Sequence, residues 1–218
     1  MARRYGPAVP FDTELFLSAL AVLFVLIDPP GCAPVFATLT QGTSKAHQRD
    51  MAVKSVVVAA AILVGFTFGG EWVFSKLGIS LDALRIAGGI MLFIIGLNMV
   101  FERRTEKREE RAEDMLEEVE DPEDISVFPM GIPMIAGPGT MASLLILTGE
   151  TDSAGVWTIL AALAVVLVVT FLSFLAAPRL MKLMGKSVTD VLTRVLGVLL
   201  ATLAAQFVLD GLGNSLFA

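Results

Sequence analysis

Asp28 stands in the stretch LIDPPGCAPVF, Leu26–Phe36, where one carboxylate, three prolines, a glycine and a thiol interrupt an apolar run. A carboxylate so placed can cap a helix start through its oxygens, or it can hold a proton or a ligand cation. A second apolar run contains AGPGTMAS, Ala136–Ser143, with Gly137, Pro138, Gly139 and the hydroxyls of Thr140 and Ser143. Glycine and proline ahead of an apolar stretch favour a helix that begins there, and the amides of its first turn have no acceptor within the helix. Such amides carry about half an elementary charge and bind anions, carboxylates included. The chemistry on offer is the holding of a small charged ligand. Cys32, Thr140 and Ser143 are small, leave room for it and add polar atoms beside the two interruptions.

These residues must be positioned by a membrane protein. Of 218 residues, 55% are hydrophobic and 17% charged, and the mean hydropathy of +0.75 lies outside the range of water-soluble domains. Apolar stretches recur at Leu15–Leu39, Val53–Phe74, Ala83–Phe101, Phe128–Leu147, Val156–Ala177 and Val191–Leu209, each near the ~20 residues that cross a hydrocarbon core. Six spans follow. The first is too long, and too closely followed by others, for a cleaved secretion signal, so it is expected to be retained. The lone Cys32 excludes an internal disulfide and any multi-cysteine metal site.

The net charge of −6 is local in origin. Glu102–Asp124 holds twelve acids and five bases, which leaves the rest of the chain slightly positive. The expected organisation is a three-helix unit over 1–101, a charged cytoplasmic linker over 102–126, and a second three-helix unit over 127–218. With the amino terminus outside, twelve Lys and Arg fall on inner loops or span edges and four outside, a bias that predicts both termini outside.

The two units are related. Asp28–Thr40 set over Ala136–Thr148 places Pro30 on Pro138, Gly31 on Gly139, Leu39 on Leu147 and Thr40 on Thr148, an offset of 108. LRIAGG at Leu84 matches TRVLGV at Thr193 with an offset of 109, so Arg85 meets Arg194 and Gly88 meets Gly197. Three spans per unit is an odd number, so the second unit enters from the opposite face. The expected fold is all-α: six transmembrane helices arranged as two inverted repeats, with the first and fourth helices broken, as in many secondary transporters.

In hydrocarbon, a helix break is tolerated only inside protein or at a cavity. Pro29 and Pro30 suit the first turn of a new helix and Asp28 its cap, so one half-helix ends near Ile27 and the next starts at Pro29. Pro34 adds a further helix-disturbing residue. In the second unit Gly137 takes the cap and Pro138 the first turn, which predicts free amides at Gly139, Thr140 and Met141. Fourteen residues from Glu14 to Ile27 reach roughly 21 Å, past the middle of a core about 30 Å thick. Two half-helix starts, each with open amides, would then face each other near mid-membrane. Their field favours a carboxylate, and Asp28 beside it favours the ammonium of a zwitterion, which together suggest an amino acid.

DPPGCAPVFATLT, IPMIAGPGT and TRVLGVLLATLAAQFVLDGL resemble the MarC family of six-span bacterial and archaeal membrane proteins, and the resemblance runs from about Leu15 to Leu212. It implies a plasma (inner) membrane transporter of small neutral amino acids of the glycine or alanine kind. It carries roles to Asp28, Pro29, Gly31, Pro34, Gly137, Pro138, Gly139 and Thr140. Cys32 departs from the pattern, which usually has a small polar residue such as asparagine there.

Other polar residues fit structural roles. Asp82 and Arg85, three apart, and Asp190 and Arg194, four apart, pair along helix faces near a membrane surface, with substrate contact by the two arginines as the alternative. Asn98 and Gln206 suit interhelical hydrogen bonds, with a place in the ligand path as the sharper alternative. His47 lies in a polar loop. An aspartyl protease needs two facing carboxylates, and beyond Asp28 the spans offer acids only at their ends, so no enzyme is expected. No nucleic-acid footprint, resident cofactor or metal site is expected either, although H+ or Na+ is compatible as a coupling ion. The expected partners are a small neutral amino acid and the lipid bilayer. A channel or exporter for another small solute is the alternative function.

Overall fold

The structure, a computed structural model, describes residues 12–101, 124–149 and 151–217. Most of the expected charged linker, 102–123, lies outside them. The described chain is all helical, without strands. Helix α1, Thr13–Ile27, is capped by Asp12, whose Oδ1 accepts from the Leu15 amide at 2.9 Å. Helix α2, Pro29–Leu39, follows after one residue. Helices α3, Lys45–Lys76, and α4, Leu81–Val100, start at Ser44 and Ser80, each accepting a first-turn amide through its hydroxyl. A wide-turned segment, Ser126–Ile135, leads into α5, Pro138–Gly149, and α6 runs from Ser153 to Phe217. Five helical stretches are long and apolar enough to cross a membrane, and a sixth span results when Ser126–Ile135 and α5, bent by 52°, are taken together.

Two elements differ from expectation. The connection between the fifth and sixth spans is helical, so that the apolar stretches Ser153–Ala177 and Val191–Ser215 belong to one continuous helical backbone. The fourth span is broken as expected, but its first half is not a regular half-helix. Pro129 and Pro133 cannot donate backbone hydrogen bonds and force the residue before each out of the helical region. Phe128 (φ −124°, ψ 131°) and Ile132 (φ −129°, ψ 130°) are accordingly extended, and both peptide bonds into the prolines are cis. The remaining turns close from Met130 N to Ile125 O (3.3 Å) and from Ala136 N to Gly131 O (2.9 Å). Gly131 is required there, because a Cβ would lie 2.7 Å from Ser126 O and 3.1 Å from Val58 of α3. Ahead of the segment, the Asp124 carboxylate accepts from the Ser126 hydroxyl and from its amide at 2.9 Å. These bonds, with Lys54 of α3 at 3.7 Å, hold the Asp124 carboxyl below the usual carboxylate range.

Two apolar clusters organise the bundle. The first gathers α1, α2, α3, the Ser126–Ile135 segment, α5 and the first stretch of α6, and Phe36 stacks on Phe174 with centroids 4.5 Å apart. The second joins Val22, Val25 and Leu26 of α1 to α4, α5 and the second stretch of α6. Large side chains such as Val57, Phe68, Trp72, Trp157, Leu172 and Leu199 point outward, as lipid-facing positions should. Buried hydroxyls return to their own helix: Ser55 donates to Met51 O, Thr67 to Leu63 O and Thr170 to Val166 O, each at 2.8 Å.

Along the α4–α6 contact the backbones nearly touch. A Cβ on Gly96 would lie 2.8 Å from Ala201 N and 2.9 Å from Gly197 O, and one on Gly197 would lie 2.9 Å from Gly96 O. Small residues permit this approach, and dispersion at close range holds helices together where lipid is as apolar as the side chains. Gly96→Ala and Gly197→Ala are each expected to cost about 1–3 kcal/mol through overpacking and to lower the unfolding temperature in detergent. Gly65→Ala, whose Cβ meets nothing within 4 Å, should leave that temperature unchanged or raise it slightly.

Candidate functional site

The first break is made at Asp28. It has φ 54° and ψ 64°, the left-handed conformation that aspartate tolerates better than most residues. It closes α1 through its amide to Phe24 O (2.9 Å) and opens α2 through Oδ1, which accepts from Gly31 N at 3.2 Å. Its carbonyl also accepts from Cys32 N at 2.9 Å. Pro29 and Pro30 have no amide hydrogen. The start of α2 therefore offers no open donor, contrary to the expectation that both half-helix starts would. Ile27 O, deprived of its helical partner, accepts instead from the Cys32 thiol at 3.1 Å. Gly31 has to be glycine, because a Cβ would collide with the Asp28 carboxylate. Asp28 is buried, at 1% exposure.

The second break lies at Ala136 and Gly137. Its first helical turn differs in the way that matters for a ligand. Met141 N bonds to Gly137 O at 3.1 Å, so that amide is not open as expected, whereas the Gly139 and Thr140 amides bond to no described residue. Both residues are buried. The Thr140 hydroxyl donates to Ile135 O at 3.3 Å, the counterpart, at the offset of 108, of the bond from Cys32 to Ile27. Ser143 is completely buried and its Oγ has no hydrogen-bond partner, whereas the buried hydroxyls of Ser55, Thr67 and Thr170 close onto their own helices. Ser143 follows Gly139 by four residues and stands on the same face of α5. Around Gly139 stand Ile95 and Leu92 of α4, each 3.1 Å from where a Cβ would be, and Leu26 of α1 at 3.7 Å. Ile27 and Cys32 of the first break share one apolar cluster with Ile135 and Ala136 of the second.

A model of the MarC family integral membrane proteins matches residues 13–216. The chain belongs to the MarC family. It is 34% identical over 206 residues to a UPF0056 membrane protein of Methanocaldococcus jannaschii, covering 94% of this chain and 99% of the relative. It is 33% identical to the UPF0056 membrane protein YvbG of Bacillus subtilis and 29% identical to YhcE of Escherichia coli, each covering 93% of this chain and 94% of the relative. No solved structure matches. The protein is thus a multi-pass integral membrane protein of a family found in bacteria and archaea.

The remaining candidates of this MarC chain lie on α2, α4 and α6. Arg85 is buried and its Nη1 donates to Asp82 Oδ1 at 2.7 Å, the pairing expected along α4. Arg194 is exposed, and the side chain of Asp190 lies outside the described ones. Gln206 is exposed and bonds to Asp210 at 2.7 Å along its own helix, not between helices. Asn98 is half-buried. Pro34 is accommodated inside α2. Sequence reasoning missed Pro129, Gly131 and Pro133, although the tetrads FPMG and IPMI, with proline at the same place in each, signal a repeated turn. It also missed Leu92 and Ile95, which no local pattern marks.

Asp28 is expected to tolerate asparagine best. Asp28→Asn keeps both the left-handed backbone and an oxygen for Gly31 N, whereas Asp28→Ala loses the cap, worth about 1 kcal/mol, and adds a backbone cost of about 1–2 kcal/mol. Thermal unfolding in detergent should rank wild type and Asp28→Asn above Asp28→Ala.

Proposed function

We propose that this protein is a secondary transporter of small neutral amino acids, glycine or alanine in kind, working by alternating access around the two breaks. The observation that carries the reading is the inequality of the two helix starts. The start of α5 keeps two buried amides and the Ser143 hydroxyl without partners, an arrangement that suits a carboxylate. The start of α2 keeps a buried carboxylate, Asp28, which suits an ammonium or a proton. One apolar cluster contains residues of both breaks.

An inverted-repeat architecture supports the transport cycle. The matching bonds Cys32 to Ile27 and Thr140 to Ile135, and Thr40 to Phe36 and Thr148 to Leu144 at 2.7 Å each, recur at the same offset as the sequence match. Access would alternate about the two breaks, with H+ or Na+ as the coupling ion. Loop charges favour both termini outside a plasma (inner) membrane. No chemical step is part of the reading.

Purified protein in proteoliposomes should take up or exchange labelled alanine or glycine. Asp28→Asn, which keeps the fold, and Gly139→Leu, which fills the space before Leu92 and Ile95, should each reduce that flux to background. Normal flux in both variants would remove these residues from the site. Imposing pH and sodium gradients separately identifies the coupling ion.

A further inference from the structure

We infer that the second stretch of α6 is a self-association surface, on which a second copy of this chain lies parallel with Gln206 against the partner's Gln206. The inference is independent of what the protein transports. Val191–Ser215 is the least enclosed of the five spanning stretches, with 22% of its apolar core buried against 33–56% for the others. Its exposed side also differs in kind. The exposed positions within 57–68 of α3, 83–97 of α4 and 157–175 of α6 carry no charged, amide or hydroxyl side chain, whereas Thr202, Gln206 and Asp210, one turn apart, are all exposed. Gln206 stands three residues, about 4.5 Å, from the middle of its stretch. At that depth an amide facing hydrocarbon goes without the bonds that water would supply. Thr202 meets the requirement within its own helix, its hydroxyl donating to Val198 O at 2.9 Å. Gln206 meets it in part: one N–H goes to Asp210 Oδ1 at 2.7 Å, and no other described side chain bonds to it. A second N–H and the carbonyl oxygen remain.

An amide is its own complement. Two copies inserted in the same sense place this stretch parallel to itself, so a twofold axis along the membrane normal sets each residue of the contact beside its equivalent. The remaining N–H of each Gln206 then meets the oxygen of the partner's Gln206, in both directions. Val195, Leu199, Thr202, Gln206 and Leu209 follow one another at alternating intervals of four and three, the spacing of a left-handed two-helix seam, and all five are exposed. One polar residue in such a seam fixes its register and the number of strands. Lipid tails offer Gln206 neither donor nor acceptor, and a different protein has no inherent match in register. Asp210, one turn nearer the end of the stretch, holds the amide in place.

The test uses the full chain in lipid vesicles. On oxidation, Leu209→Cys, which replaces an exposed seam residue, should form a disulfide-linked dimer. Phe93→Cys, on the exposed side of α4, and the wild type, whose Cys32 is buried, should stay single. Stepwise photobleaching of labelled wild-type chains should count pairs. Gln206→Ala, a change on an exposed face that leaves the fold intact, should weaken pairing about three- to tenfold, the size expected when hydrogen bonds between spans are lost. Gln206→Asn keeps an amide and should pair more strongly than Gln206→Ala. Single chains at every protein-to-lipid ratio would overturn the inference. So would pairs that crosslink through Phe93→Cys and not through Leu209→Cys, or pairing as strong in Gln206→Ala as in the wild type. The transport reading is untouched by any of these results, since flux of labelled alanine is measured separately.

Discussion

In hydrocarbon no water replaces a missing backbone hydrogen bond, and the described structure is arranged around that constraint. Where the chain is regular, amides and carbonyls pair along the helix, and buried hydroxyls at Ser55, Thr67 and Thr170 add a second bond to carbonyls already in use. Where the helix breaks, side chains make bonds that the backbone no longer makes. Asp28 caps the helix that follows it, Cys32 reaches back to Ile27 O, and Thr140 reaches back to Ile135 O. Glycine then leaves room for the repair, for the Asp28 carboxylate at Gly31 and for the Ser126 carbonyl at Gly131.

The same repair leaves the two breaks unequal. Two prolines and a carboxylate use up or delete every donor at the start of α2, so that end of the helix is electrostatically closed. At the start of α5 a single proline deletes one donor, Met141 is satisfied by Gly137, and two amides remain. Similar sequence motifs thus leave a capping carboxylate at one break and amides without described partners at the other. MarC membership supplies the membrane setting, while the difference between the breaks follows from which residues precede each glycine.

Much of this was legible in the chain. The end of α1 at Ile27 and the start of α2 at Pro29 follow from Asp28-Pro29-Pro30, because proline chemistry and capping act over three or four residues. The start of α5 at Pro138 follows in the same way. The Asp82–Arg85 pair is a matter of helical spacing. The wide-turned segment was not foreseen, since its hydropathy is that of a span and its two prolines act together. The closure of α2's donors by Asp28 was missed for a different reason: a carboxylate at a helix start serves equally as a cap or as a counter-charge, and only the bond to Gly31 separates the two. The surroundings of Gly139, drawn from Leu26, Leu92 and Ile95, depend on packing between helices distant in sequence.

The α4–α6 contact has a mechanical meaning. Elsewhere in the bundle helices meet through leucine, isoleucine and phenylalanine, whose rotamers let surfaces slide by small steps. At Gly96 and Gly197 the main chains themselves form the contact, and a shift of either helix along the other drives Cα and carbonyl atoms together. α4 and the second stretch of α6 consequently behave as one rigid plate. Gly139 packs against that plate through Leu92 and Ile95, and Met130, Met134 and Met141 bring unbranched, adaptable side chains to the first apolar cluster.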